Sequence, residues 1–474
     1  MEGVSFSCET PFSDLRTTAL RSAFRRESLW QSVRLRFPAL AVAANIKLAP
    51  SARRDDSFLE MDREQATAEN TILIHYGELG LKGHNQREFR RRLRDNIRAK
   101  LRRLGVNWPV EETKGFLTVH GPPSESGVSL KQALDALSEI FGIAWFSCAR
   151  RLPHGRFTVA SRDDDFARLE GCLIELANER AGAGQTFAVR ANRAEKTLPF
   201  TSTELDKRLG AVVLRETSWK KVNLTQPDVT FHVDVRHDCT FLFADKQRGP
   251  GGLPVGTAGR VLVLLSGGID SPVGAYLMAK RGCQVDFIHF TVTAETPEQA
   301  RQSKVWRLAQ RLGDFTLGSR LYVVPYTYFD LALMREKVDY DLVLFRRFVA
   351  RVAEQLAGQL RAQALVSGDN LSQVASQTLS NLVATSRAAE MPVLRPLLGF
   401  DKEEIIALAK KIGTYEISIE PYKDCCALIS QHPRTSSKHE RLAALETRLF
   451  PDYQSLIQQT LAEAVCLESG LETV

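Results

Sequence analysis

Two short segments carry residues whose types and spacing suit chemistry on a nucleotide and on sulfur. The first is the loop Ser266–Ser271, with the sequence SGGIDS, between a β-branched apolar run and Pro272. Its two glycines let backbone N–H groups approach an anion at the positive end of the following helix. Asp270 is unusual in a pure anion site, but it fits a loop in which Mg²⁺ bridges a carboxylate to phosphates. An ordinary glycine-rich turn is the plainer alternative, yet this string is more restrictive than a pair of glycines and predicts a pyrophosphate-binding loop.

The second segment contains the adjacent cysteines Cys425 and Cys426. Adjacent cysteines seldom bridge, so we expect no disulfide between them. A thiolate here would be a nucleophile or a sulfur carrier, and an inert buried thiol is the alternative. The remaining cysteines are scattered, without the Cys/His spacing of a zinc or iron–sulfur site, which favours a reducing cytoplasm.

The elements around the glycine loop predict a doubly wound parallel sheet, because apolar strands alternate with helices from Arg260 onward. Ligands bind at the carboxyl ends of such strands, where Gly368, Asp369 and Asn370 lie. We expect Ser271 to be the N-cap of the first helix. The predicted strands are 284–290, 320–325, 364–367 and 393–397, and the predicted helices are 298–312, 340–361 and 402–411.

Two smaller α/β units precede this sheet. The first has a split β-α-β pattern of ferredoxin-like type, with strands near Ile72–Tyr76, Phe116–His120 and Ala144–Arg150. Its first helix is strongly basic, which suits contacts to phosphates, although a solvated helix face is an equal alternative. The basic residues of this region are Lys82, Arg87, Arg90, Arg91, Arg92, Arg94, Arg98, Lys100, Arg102 and Arg103.

The bulk composition is that of a globular protein with about three domains. The chain has 474 residues, a formal net charge of +7 and 44% hydrophobic residues. No apolar run approaches the ~20 residues of a membrane span, so we expect no membrane association. The arginine-rich first sixty residues show little periodicity. They are interpreted as an unstructured extension, or as a segment upstream of the true start at Met61.

Three stretches together resemble the tRNA 4-thiouridine synthase (tRNA sulfurtransferase) family, over about residues 71–442. ILIHYGELGLKG at 72–83 is similar to the family's opening strand and turn, and VRANRAEK at 189–196 is similar to its THUMP domain. PYKDCCALI at 421–429 resembles its late cysteine motif. The resemblance implies an N-terminal ferredoxin-like domain, a THUMP RNA-binding domain and an adenine-nucleotide α-hydrolase-like (PP-loop) domain. Because the chain ends at Val474, we expect a form without the C-terminal rhodanese-like domain of some members.

The combined prediction divides the chain into six segments. These are a disordered or wrongly assigned extension (1–68), the ferredoxin-like domain (69–152), the THUMP domain (153–247), a linker (248–259), the PP-loop ATP-pyrophosphatase domain (260–447) and a C-terminal helical tail (448–474).

The resemblance also implies the site residues. The catalytic residues would be Asp270, Lys402 and Cys426, with Lys402 neutralising charge on the leaving pyrophosphate. A basic residue on the long helix, Arg346 or its neighbour Arg347, would face the phosphates. ATP would contact Leu264, Leu265, Ser266, Gly267, Gly268, Asp270, Ser271, His289, Phe290, Arg346, Gly368 and Gln377. The tRNA would contact Lys82, Arg87, Arg190, Arg193 and Lys196.

The implied reaction adenylates O4 of uridine 8 in tRNA and replaces that oxygen with sulfur. It needs ATP and Mg²⁺, a cysteine desulfurase as donor, and in one branch a sulfur-carrier protein for thiamine thiazole synthesis. The resemblance also allows a homodimer. Two alternatives stay open: another PP-loop tRNA-modifying enzyme, and an RNA-binding protein with an inactive ATP domain. Ser372 in place of the family's usual glycine, and Thr291–Ala294 after Phe290, depart from the family pattern and leave the pocket lining open.

Overall fold

The computed structural model describes residues 69–78, 85–113, 115–121, 129–154, 162–180, 184–194, 198–334, 340–422, 425, 429 and 434–470. The predicted extension 1–68 lies outside these ranges. No helix within them is long and apolar enough to cross a membrane.

In its described residues, the N-terminal half forms one mixed sheet with four helices. Its strands are β1 (Glu69–Tyr76), β2 (Val110–Thr113), β3 (Phe116–His120), β4 (Ile143–Pro153), β5 (Thr186–Arg193), β6 (Lys221–Val222), β7 (Val229–Val235), β8 (Cys239–Phe243) and β9 (Gln247–Arg248). Its helices are α1 (Gln86–Arg103), α2 (Leu130–Leu137), α3 (Arg162–Glu179) and α4 (Ser202–Glu216). The strand order is β2-β3-β1-β4-β8-β7-β5-β6, and β9 pairs with β4.

Strand β4 joins the two small units that the sequence predicted as separate domains. It pairs antiparallel with β1 and with β8, which is its neighbour on the other side in the strand order. Strand β4 is 11 residues long, so its two edges can pair with strands from both units. The two units therefore share a continuous sheet.

The C-terminal half is the predicted doubly wound sheet. Its strands are β10 (Arg260–Leu264), β11 (Gln284–Thr291), β12 (Ser319–Pro325), β13 (Ala364–Val366), β14 (Val393–Leu394) and β15 (Val465–Ser469). Its helices are α5 (Asp270–Lys280), α6 (Pro297–Gln302), α7 (Lys304–Thr316), α8 (Thr327–Leu333), α9 (Asp341–Gln359), α10 (Leu379–Ser386), α11 (Lys402–Lys411), α12 (Tyr415–Ser418), α13 (His439–Leu449) and α14 (Tyr453–Ala462). The order is β14-β13-β10-β11-β12-β15, and all neighbours are parallel except the antiparallel β15.

Both faces of this sheet are covered, as the apolar β10 indicates. Val261 and Val263 belong to the core that includes α5 and α7, whereas Leu262 belongs to the core that includes α9 and α13. Alternate residues of a strand point to opposite faces, so a strand with apolar residues at every position must lie between two helical layers.

Two local predictions for this half are wrong. The helix predicted over 298–312 is broken at Ser303, whose side chain accepts a hydrogen bond from Trp306 N and so caps a new helix, α7. The predicted helical tail 448–474 also contains β15, which adds an antiparallel edge to β12. Alternation is weak over so short a strand, so local sequence carries little signal for it.

The predicted linker 248–259 is held by backbone hydrogen bonds near its start and in its middle. Gly249 N donates to Ala144 O at 3.0 Å, and Leu253 N donates to Lys280 O at 2.9 Å. Gly251 and Gly252 have φ of 68° and 75°, a conformation that glycine adopts without strain. The segment therefore fixes β4 against α5 instead of acting as a free tether.

Candidate active site

The candidate site lies where β10 and β13 end side by side. The chain leaves β10 through α5 toward β11 on one side, while β13 lies on the other, so the sheet reverses its winding between these two strands. A crevice opens at such a point because the connections on the two sides diverge. The glycine loop Ser266–Ser271 is the connection that leaves β10 at this crevice.

Serine hydroxyls hold the loop in shape. Ser266 N donates to Ser271 Oγ at 2.8 Å, the two serine Oγ atoms are 3.0 Å apart, and Gly268 N donates to Ser266 Oγ at 3.3 Å. Helix α5 begins at Asp270, so the prediction of Ser271 as its N-cap is wrong. Ser271 lies inside the first turn, and its hydroxyl closes the loop.

Gly368 packs directly against this loop from the end of β13. A Cβ at this position would lie 2.6 Å from Ser271 N and 2.7 Å from Ser271 Cα. Backbone atoms cannot move away as a flexible side chain can, so only glycine fits here. The contact sets the distance between the two strand ends that flank the crevice.

A cavity of about 340 Å³ occupies the crevice. Of the predicted ATP-binding residues, all except Gly267 line it: Leu264, Leu265, Ser266, Gly268, Asp270, Ser271, His289, Phe290, Arg346, Gly368 and Gln377. Cys425 lines the same cavity. The structure thus brings together residues that are up to about a hundred positions apart, and it places a thiol beside them.

An ion cluster that the sequence analysis did not identify forms one wall of the cavity. Asp369 is buried and forms ion pairs with Arg346 and, at 3.1 Å, with Arg395. Burial alone would raise the pKa of Asp369, but the charge and hydrogen bond of Arg346, the Ser367 hydroxyl and the charge of Arg395 lower that pKa to about 2. One carboxylate therefore holds two guanidinium groups at the cavity. No sequence motif predicted that Arg395 would be one of them.

The structure also separates the two neighbouring arginines of α9. Arg346 lines the cavity, whereas Arg347 is fully buried on another side of α9, with Nη2 2.6 Å from Glu446 Oε2. Consecutive helical residues point about 100° apart, so only one of them can face a given ligand. The expectation that either arginine would serve is resolved in favour of Arg346.

Asp270 and Lys402 meet across the edge of the cavity. Lys402 Nζ donates to Asp270 Oδ1 at 2.7 Å, and both side chains are partly exposed. Lys402 stands in the first turn of α11, where the helix dipole disfavours a cation. The partnership with Asp270 offsets that cost and keeps the ammonium group beside the loop.

The structure describes three of the residues predicted to bind tRNA. Arg87 is exposed on α1, whereas Arg190 donates to Leu224 O and Arg193 donates to Phe200 O. Lys82 and Lys196 lie outside the described residues, as does the predicted catalytic Cys426.

Several cations of α1 have structural partners, which neither the phosphate-contact interpretation nor the solvated-face alternative predicts for them. Arg90 forms an ion pair with Glu112 at 3.2 Å, and Arg98 donates to Val110 O at 3.0 Å. Lys100, which is buried, donates to Glu139 at 2.7 Å. These side chains hold α1 in place, so the surface open to phosphates is smaller than the sequence indicated.

A stack of aromatic rings lies across the N-terminal sheet, and no sequence motif predicted it. His75 and Trp145 have ring centroids 3.9 Å apart, and Phe243 continues the stack to His232 at 4.9 Å. Burial, with nearby cations such as Lys246, lowers the pKa of each histidine to about 4. Both imidazoles are therefore uncharged aromatic rings at neutral pH.

Comparison with known proteins places the chain in a family. A probable tRNA sulfurtransferase of Caldanaerobacter subterraneus is 38% identical over 400 residues, covering 84% of this chain and 99% of that protein. One from Anoxybacillus flavithermus is 37% identical over 395 residues, covering 82% and 94%. The chain belongs to the tRNA sulfurtransferase family. Family models match residues 71–147 (ThiI ferredoxin-like domain), 164–245 (THUMP domain) and 256–450 (thiamine biosynthesis protein, ThiI).

Solved structures agree with membership of the tRNA sulfurtransferase family. A 4-thiouridine synthetase, solved in complex with RNA and with bound ATP, superposes with a TM-score of 0.74 at 33% identity. The match covers 85% of this chain and all of that one. PH1313 from Pyrococcus horikoshii has a TM-score of 0.56 at 22% identity, which supports the fold alone. The predicted family and fold class are confirmed.

Proposed function

We propose that this chain is an ATP-dependent tRNA sulfurtransferase that adenylates uridine 8 of tRNA at O4 and replaces the oxygen with sulfur, giving 4-thiouridine. The observation that carries the proposal is the shared cavity. Residues of a pyrophosphate-binding loop, a pair of carboxylate-held arginines and a thiol all line it. Membership of the tRNA sulfurtransferase family and the ATP-bound RNA complex of a 4-thiouridine synthetase support the same activity.

ATP fits the cavity with its phosphates toward the loop Ser266–Ser271, where amides at a helix N-terminus favour negative charge. Arg346 and Arg395 add positive charge from the facing wall. Apolar side chains such as Phe290 and Val349 line another part of the cavity, and this apolar surface suits a purine ring.

Magnesium fits this site as a companion of ATP and not as an ion held by protein alone. The described residues contain no cluster of three metal-binding side chains, and Asp270 is the carboxylate within the loop. Mg²⁺ usually keeps most of its ligands as phosphate oxygens and waters, so one carboxylate is enough. When bound, the ion would neutralise phosphate charge.

In the adenylation step, O4 of the uridine attacks the α-phosphorus and pyrophosphate leaves. The loop and the two arginines line the cavity before ATP binds, so they would stabilise developing charge with little rearrangement. Lys402, beside Asp270, is positioned to neutralise the leaving pyrophosphate. A sulfur nucleophile then attacks C4 and AMP departs, since adenylation has turned a poor leaving oxygen into a good one. Sulfide gives 4-thiouridine directly. A persulfide leaves its carrier cysteine joined to C4 through a disulfide, and a second thiol must attack the carrier sulfur, forming a disulfide with it and releasing 4-thiouridine.

We assign the sulfur-carrying or sulfur-releasing role to Cys426. Its neighbour Cys425 donates its S–H to Phe290 O at 2.8 Å, a bond that a thiolate could not make. Such chemistry needs a thiolate, which favours the other member of the pair. A cysteine desulfurase as donor, a homodimer and a cytoplasmic location complete the proposal. The family model named for thiamine biosynthesis favours a second acceptor, a sulfur-carrier protein for thiazole synthesis.

The test is mass spectrometry of tRNA nucleosides after incubation with ATP, a cysteine desulfurase, cysteine and this protein. Wild type should form 4-thiouridine and release pyrophosphate. Asp270→Ala should abolish both, whereas Cys426→Ser should stop thiolation and leave pyrophosphate release intact. Equal loss of both steps in Cys426→Ser would contradict the assigned roles. If wild type binds tRNA but releases no pyrophosphate, the protein is an RNA-binding protein with an inactive ATP domain.

A further inference from the structure

Tyr422 connects the phosphate loop to the segment that carries the cysteines, residues 418–426 (the cysteine segment). Its ring packs against Gly267, because a Cβ on that glycine would lie 2.6 Å from Tyr422 Cδ1. Tyr422 precedes Cys425 by three positions, so the same short segment touches the loop and enters the ATP cavity.

The hydroxyl of Tyr422 is held by a histidine whose tautomer the geometry determines. His289 Nδ1 lies 2.8 Å from Leu265 O, and a carbonyl only accepts, so Nδ1 carries the proton. His289 Nε2 lies 2.7 Å from Tyr422 Oη. In the neutral ring Nε2 is the acceptor, so the tyrosine hydroxyl donates to it. With this tautomer the hydrogen bond runs from the Tyr422 hydroxyl to His289 Nε2. It therefore depends on the Leu265 carbonyl, just after the end of β10 and just before the loop.

Two further contacts hold the segment along the same edge of the sheet. Phe290, the residue after His289, accepts the S–H of Cys425 through its carbonyl. Lys304, which is buried, donates to Ser418 O at 2.9 Å and to Glu420 O at 2.7 Å. The end of β11 therefore contacts the segment at two points, and α7 holds its beginning.

We propose that Tyr422 is a positioning residue: through His289 it fastens the cysteine segment to the phosphate loop, so it controls the sulfur-transfer step and not adenylation. This inference rests on the proposed function. In the proposed site the phosphates of ATP would contact loop amides and cations, whereas the tyrosine hydroxyl is bonded to His289. The thiol chemistry requires a sulfur to reach C4 of a base activated in the same cavity, and a misplacement of about 1 Å can cost about a hundredfold in rate.

The variant Tyr422→Phe removes the hydroxyl and keeps the ring on Gly267. We expect 4-thiouridine formation to fall about tenfold, since the segment loses one directed hydrogen bond and samples more positions. Pyrophosphate release in the presence of tRNA should stay within about twofold, so more pyrophosphate is released per 4-thiouridine formed. A second measurement is the alkylation rate of the cysteine pair by iodoacetamide, read by peptide mass spectrometry. We expect this rate to rise in the variant.

The matched control is Tyr328→Phe, which removes a tyrosine hydroxyl that donates to Glu463 away from the cavity. It should change neither reaction nor the alkylation rate. The proposal is overturned if Tyr422→Phe thiolates like wild type, if it loses both reactions in parallel, or if its alkylation rate is unchanged. Failure of wild type to form 4-thiouridine would instead reject the proposed function, and the alkylation rate would still decide whether Tyr422 holds the segment.

Discussion

Substitution of Gly368 by alanine tests whether the approach of β13 to the loop sets the nucleotide site. The added Cβ would lie 2.6 Å from Ser271 N, 2.7 Å from Ser271 Cα and 3.0 Å from the carbonyl carbon of Asp270. Ordinary van der Waals contact begins near 3.4 Å, so the two backbones must separate by about 0.8 Å. The φ of Gly368 is not in the left-handed region, so the whole effect is steric.

Moving the two backbones apart should weaken ATP binding more than it lowers the stability of the fold. Overpacking of this kind typically costs about 1–3 kcal/mol of unfolding free energy. A shift of nearly 1 Å at the loop can cost about a hundredfold in a reaction that depends on orientation. We therefore expect Gly368→Ala to remain folded, to bind ATP at least about tenfold more weakly and to release pyrophosphate about a hundredfold more slowly.

The assays are ATP titration by calorimetry, pyrophosphate release with tRNA, and urea unfolding. The control is Gly358→Ala in α9, where an added Cβ would meet nothing within 4 Å. That variant should retain activity and be as stable as wild type or slightly more stable, because alanine is the better helix former. The reasoning is refuted if Gly368→Ala binds ATP and releases pyrophosphate within about threefold of wild type.

Two further predictions concern buried charge. Arg347→Leu should lower the free energy of unfolding by about 3–5 kcal/mol in urea titrations, because it leaves the buried Glu446 without its main partner. A loss below about 1 kcal/mol would contradict this. For Asp369 the depressed pKa means that its ionised form stabilises the fold above about pH 4, and that this is lost as pH falls through about 2. The stability gap between wild type and Asp369→Asn should therefore shrink by about 2 kcal/mol between pH 5 and pH 2, and a constant gap would argue against the ion cluster.

Some predictions were wrong because a local capping signal was not recognised, and others because the partners are distant in the chain. The break at Ser303 follows from a capping hydrogen bond that competes with a continuous helix. The structural partners of the α1 cations lie on other elements, as for Lys100 with Glu139. A basic helix face looks the same in sequence whether its charges meet phosphates or carboxylates, so composition overestimates the RNA-facing surface.

The phosphate loop, the chain order of the parallel strands and the family could all be predicted from the amino-acid sequence. Glycine content, β-branched runs and helix starts act over a few neighbouring residues, so they can be read along the chain. Three-dimensional packing was needed to show that Arg346 and not Arg347 lines the cavity, that Arg395 joins it, and that Lys402 pairs with Asp270. It alone placed Tyr422 on Gly267. Those contacts join residues that are distant in the chain, and their geometry depends on how the strand ends and helices pack.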